Sequence, residues 1–157
     1  MLSKYDELLC HQTPTTFDHV VDSGDNWREN AWICAHDVTG RFFVSSHFGV
    51  STNRNVMDAS GLLAVDRKTQ FNIRASRELR PRTDEVSVGP LSYQVVEGMK
   101  TIHWVLADND YGMSWEIEFQ AAMLPHEEKP QFARSRGRLT ENISRYAQPG
   151  RAKGWLK

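Results

Sequence analysis

The stretch Met113-Ser114-Trp115-Glu116-Ile117-Glu118-Phe119-Gln120 sets four apolar side chains in strict alternation with four polar ones. A helix would scatter Trp115 and Ile117 to different sides. A strand sends successive side chains to opposite faces, so Met113, Trp115, Ile117 and Phe119 share one face. Burying that face is worth about 1.5 to 3 kcal/mol for each large side chain. A β-strand is expected here, entered through the turn Asp108-Asn109-Asp110-Tyr111-Gly112.

The same period of two recurs upstream. Trp32, Cys34 and His36 fall on one face of a strand starting at Ala31, and Asp37-Val38-Thr39-Gly40 turns the chain back into Arg41-Phe42-Phe43-Val44-Ser45-Ser46-His47-Phe48. Gly61 to Val65 and Gln70 to Arg74 flank Asp66-Arg67-Lys68-Thr69 as a second hairpin. After the break Arg80-Pro81-Arg82-Thr83-Asp84, short β-rich pieces follow at Val86 to Val88, Leu91 to Val96 and Lys100 to Ala107. Turn signals recur at short intervals and no helical pattern separates the strands. The expected class is all-β and antiparallel, a barrel or a sandwich. Residues 1–30 are expected to form an irregular arm with one short helical turn, residues 31–124 the β core, and residues 125–157 an irregular, Arg-rich tail of loop or surface that packs on the core or leads to a second barrel.

The chain has 157 residues, enough for one sizeable core, and five Trp and four Tyr help to fill it. Lys and Arg number 19 against 20 Asp and Glu, so no overall basic field gathers nucleic acid and no nucleic-acid partner is expected. The arginines at 134, 136, 138, 145 and 151 read as a solvated segment rather than an RNA patch. No apolar run is long enough for a membrane span, and the start Met1-Leu2-Ser3-Lys4-Tyr5-Asp6-Glu7 lacks the apolar core of a signal peptide, so a cytoplasmic location is expected.

The strong catalytic motifs are absent: no Gly-rich phosphate loop, no Gly-x-Ser-x-Gly and no His-Glu-x-x-His. The cysteines Cys10 and Cys34 lie 24 apart, near His11 and His36, without metal-ligand spacing, so neither metal nor cofactor is expected. Polar density gathers instead at Asn53, Arg54, Asn55 and Asp58, then at Asn72, Arg74, Arg77 and Glu78. Arg54 with Asp58 and Arg74 with Glu78 read either as rim ion pairs or as inward groups lining a cavity, with Trp104 and Trp115 as further candidate ligand contacts. His47, Asp58 and His103 are the candidate acids and bases, because a histidine titrates near neutrality and a small barrel needs few polar groups to orient an apolar ligand.

Several stretches carry a family resemblance. They are Asp6-Glu7-Leu8-Leu9-Cys10-His11-Gln12, Asn53-Arg54-Asn55-Val56-Met57-Asp58-Ala59, Arg74-Ala75-Ser76-Arg77-Glu78-Leu79-Arg80-Pro81, Ser135-Arg136-Gly137-Arg138, Arg145-Tyr146-Ala147-Gln148-Pro149-Gly150-Arg151 and Gly154-Trp155-Leu156. Over nearly the whole chain the sequence resembles bacterial lipocalin-like proteins related to the AttH and hydroxyneurosporene synthase (carotenoid hydratase) superfamily. The resemblance implies a lipocalin-like or calycin-like barrel and two such halves in a longer protein, of which this chain resembles the first. It implies a hydrophobic small-molecule ligand such as an isoprenoid or steroid. The function expected is binding of that ligand; the alternatives are a hydratase, isomerase or cyclase acting on it, and a structural half-barrel that pairs with a second lipocalin-like domain or, as a homodimer, with a copy of itself. The resemblance assigns no catalytic residue.

Overall fold

The computed structural model describes residues 2–9, 16–20 and 22–157. A 3-10 turn over Lys4–Glu7 opens it, capped by Ser3, and thirteen strands follow. β1 (Glu29–His36), β2 (Phe42–Ser51), β3 (Val56–Val65) and β4 (Thr69–Glu78) form an antiparallel meander in sequence order. β5 (Ser87–Val88), β6 (Leu91–Glu97), β7 (Thr101–Leu106), β8 (Trp115–Ala121) and β13 (Gly150–Leu156) form the second sheet, in the order β13-β8-β7-β6-β5. β9 (His126–Glu127) pairs with β12 (Tyr146–Ala147), and β10 (Gln131–Ser135) with β11 (Arg138–Ile143), as two-stranded ribbons. All pairs are antiparallel and no sheet closes into a barrel. Among the described residues no helix is long and apolar enough to cross a membrane.

Both hairpins expected in the first half occur where their turn residues stand. Val65 pairs with Thr69 around Asp66 and Arg67, both at positive φ. The alternating stretch is β8, with Met113 packed just ahead of it and Trp115 and Ile117 buried. The C-terminal segment packs on the core and is more regular than expected. Residues 125–157 hold five strands, and β13 adds to the second sheet with Arg151 opposite Gln120 and Leu156 opposite Trp115. Gly150 and Gly154 permit that approach, since a Cβ would overlap the Phe119 ring at the first and the Glu116 carbonyl oxygen at the second.

The two sheets meet across side chains that alternation turns inward. Phe48, Val50, Met57, Leu63 and Ile73 from the first sheet pack with Leu91, Tyr93, Trp104, Leu106, Trp115 and Ile117 from the second. Trp104 and Trp115 are fully buried, edge to face at 85° with centroids 6.4 Å apart. Trp115 lies over Gly61 on β3, where an added Cβ would stand 2.9 Å from its Cη2 and 3.0 Å from Cγ2 of Ile73. Trp104 and Trp115, expected as ligand contacts, are instead core. Their bulk occupies the inter-sheet space that a guest would need.

The arm is tied down over one end of the sandwich. Glu7 is buried and its carboxylate accepts the Met99 N–H, Phe17 N–H donates to the Thr83 carbonyl, and the Arg80 guanidinium bridges to Asp18. Burial pushes the Glu7 carboxyl above its usual range against the opposing pull of the Met99 N–H.

Two predictions follow from this packing. Gly61→Val forces a branched side chain against Trp115 and Ile73 and should cost about 1–3 kcal/mol in urea unfolding; an unchanged midpoint would mean the sheets do not meet there. Because Glu7 has a folded pKa above its unfolded value, its contribution is fully present below the unfolded pKa and is lost as pH rises through the folded pKa. Glu7→Gln should therefore gain stability relative to the parent chain as pH is raised from 4 to 8. A gap that stays constant or narrows would contradict the burial of Glu7.

Candidate functional site

The outward face of the first sheet follows from its register. One row across it is Asn30, Gly49, Asp58 and Ser76; the next is Trp32, His47, Ser60 and Arg74. His47, Asp58, Ser60, Arg74 and Ser76 line an open depression of about 460 Å³.

Gly49 organises one side of it. With no side chain on β2 at that point, the Arg28 guanidinium lies flat where a Cβ would stand. From there Arg28 meets both Asp58 oxygens at 2.8 Å, donates from Nε to Asn30 Oδ1 at 2.8 Å and from Nη1 to Ser51 Oγ at 3.1 Å. Asn30 Oδ1 also faces His47 Nε2 at 3.0 Å. Since that oxygen only accepts, Nε2 carries the proton and a neutral His47 keeps its lone pair on Nδ1, 3.8 Å from Asp58 Oδ1. Burial pushes the His47 imidazole below its usual range, Asp58 pulls it up, and Arg28 pushes it down again. Neutral His47 is thus an oriented base, and the Asp58 carboxylate stands beside the imidazolium that would form. Arg74 is exposed and has no hydrogen bond or ion pair among the described residues, so a cation is free at the opposite side of the depression.

The structure thus brings His47, Asp58 and Arg74 together and separates the other residues singled out from sequence. His103 points outward from the second sheet, on the far side of the sandwich, with Nε2 3.1 Å from Glu116 Oε1. Its neighbour Trp104 takes the core face, so His103 cannot act with His47. Arg77 is structural: its guanidinium donates to the carbonyls of Glu78, Leu79, Arg82, Glu85 and Ser87. Asn53 donates to the Asp22 and Gly24 carbonyls, Arg54 donates to Asn26, and Asn55, at φ 58, accepts from Arg80. These three clamp the arm. Asn72 accepts from Gln70, and Glu78 is exposed at the end of β4. The rim pairs expected between Arg54 and Asp58 and between Arg74 and Glu78 do not form: Arg54 is taken by Asn26 and Asp58 by Arg28, while Arg74 and Glu78 stand about 13 Å apart along β4. Among the described residues no three His, Cys, Asp or Glu stand as a metal cluster; Cys34 and His36 are on β1, and Cys10 and His11 lie outside the described residues.

A second concavity has the opposite character. About 200 Å³ opens where the edge strands of the two sheets part, between the β1–β2 turn and β13. Ala35, Phe42, Val44, Ile117, Ala152 and Leu156 make its apolar lining, with His36, Asp37, Lys153 and the half-exposed Trp155 at the margin. Sequence reading missed Trp155 as a lining residue because it missed β13.

The polar network predicts opposite shifts at one nucleus. Arg28→Gln removes a cation beside His47 and should raise the pKa read from its Cε1 proton, whereas Asp58→Asn should lower it. Two variants that leave the titration unmoved would show that the three side chains do not meet in solution.

No curated protein and no solved structure matches this sequence. Residues 2–157 match the model of a family of unknown function, DUF8625, and the chain belongs to that family.

Proposed function

We propose that the chain is a binding module for a small hydrophobic molecule, of isoprenoid, steroid or similar lipid character, held in the cleft between the β1–β2 turn and β13. The observation that carries this reading is the apolar lining of that cleft by Phe42, Val44, Ile117 and Leu156, with the half-exposed Trp155 at its rim. An apolar ligand gains by covering Phe42, Val44, Leu156 and the indole, and the binding volume suits one or two isoprene-sized units rather than a whole large lipid. The interior is filled by Trp104 and Trp115, so the guest lies at the seam of the sheets and not between them. The resemblance to lipocalin-like relatives of the AttH and hydroxyneurosporene synthase superfamily supports a ligand of this class, and we retain a lipocalin-like ancestry as part of the proposal.

A second reading, an acid–base enzyme such as a hydratase or isomerase, is favoured by the His47 Nδ1 lone pair beside Asp58 with Arg74 nearby. There His47 would take a proton from a substrate whose developing negative charge faces Arg74.

Calorimetric titration with an isoprenoid alcohol, a sterol and a fatty acid tests the first reading. Binding should weaken about tenfold or more in Trp155→Ala and in Ala152→Trp, which fills the cleft, and should survive His47→Ala. Affinity lost in His47→Ala but kept in both cleft variants would move the ligand to the polar depression. No binding by any of the three would overturn the module.

A further inference from the structure

The β10–β11 hairpin is not absorbed by either concavity. Every residue of both strands is exposed, and Phe132 is 71% exposed. A bulge after Ala133 keeps Leu139 opposite Arg134, so Phe132, Arg134 and Leu139 share one face. The tip Arg136-Gly137 takes positive φ at both residues, the geometry that closes a two-residue hairpin. A lone two-stranded ribbon is marginal in water unless something packs on it.

Charge says what would. Residues 131–157 hold seven Lys and Arg against the single acid Glu141, which leaves twelve Lys and Arg against nineteen Asp and Glu in residues 1–130. Arg134, Arg136 and Arg138 have no acidic partner among the described residues, and neither Asp108 nor Asp110 has a basic one. These two aspartates share the β7–β8 loop with Tyr111, which is 64% exposed. An arginine-and-phenylalanine face and an aspartate-and-tyrosine loop are complementary in charge and in apolar contact.

The two features stand at opposite ends of β8. The loop leads into Trp115, and the hairpin comes after Ala121, the strand's two ends being about 20 Å apart at strand spacing. Among the described residues no hydrogen bond or ion pair joins them within one chain. In two chains placed antiparallel side by side, the hairpin of each reaches the loop of the other, and one two-fold axis satisfies both contacts. The free edge of β13, last in its sheet, is the side available for that arrangement.

We propose that the β10–β11 hairpin is a docking arm that seats on the Asp108–Tyr111 loop of a second copy of this chain, giving a two-fold dimer. The contact is electrostatic at its rim and apolar at Phe132 and Tyr111.

Sedimentation velocity of the full chain in the high micromolar range at low salt should show a dimer that weakens as salt is raised. The triple variant R134E/R136E/R138E should weaken association about tenfold or more while near-ultraviolet circular dichroism stays unchanged, since the hairpin is outside the core. Combining it with D108R/D110R should restore the dimer. A monomer throughout, a dimer indifferent to the triple variant, or open-ended larger assemblies would each overturn the proposal. So would association that appears only when an anionic vesicle or another acidic protein is added.

Discussion

The passage of the Trp115 indole across the bare backbone of Gly61 fixes the distance between the two sheets. A side chain at residue 61 would hold the sheets apart, and a smaller residue at 115 would leave a void beside Trp104 and Leu91. With both in place the interior is filled by large side chains, each worth a few kcal/mol of burial. The rest of the molecule answers to that closure: the arm seals one end, β13 extends the second sheet, and the two concavities described lie on the outside and at the seam.

Function is thereby displaced outward. Among the described residues the indole nitrogens of Trp104 and Trp115 and the Ser46 hydroxyl are buried without a partner, so the core tolerates some unpaired polar groups, yet the two concavities described open to solvent. One is polar and built around an arginine resting on a glycine; the other is apolar and lies where the last strand parts from the first sheet. Their contrast in lining is what separates a binding reading from a catalytic one.

Legibility of the sequence tracked side-chain chemistry. β8 was readable because large apolar residues occupy every second place, and the first hairpins because Asp37 to Gly40 and Asp66 to Thr69 are turn formers. β13 was not, since Gly150-Arg151-Ala152-Lys153-Gly154 offers only small and charged residues; it is held by the backbone ladder and by the room its glycines leave. The pairing of His47 with Asp58 was half legible. Both were singled out, but Arg28 and Asn30, which orient them, are 30 and 17 residues from the side chains they hold. The available signal was Gly49, a glycine inside a strand, which marks close approach by another group. That His103 stands apart from His47 was not legible, because alternation tells that it opposes Trp104 but not which sheet carries the pair.

The most direct test of a filled interior with its ligand at the seam is the set of five indole N–H resonances in a proton–nitrogen correlation spectrum, recorded while a short isoprenoid alcohol is added. The Trp155 indole should move with ligand while those of Trp104 and Trp115 stay fixed and exchange slowly with deuterated water. Large shifts at Trp104 and Trp115 with Trp155 unmoved would place the guest between the sheets and contradict the account.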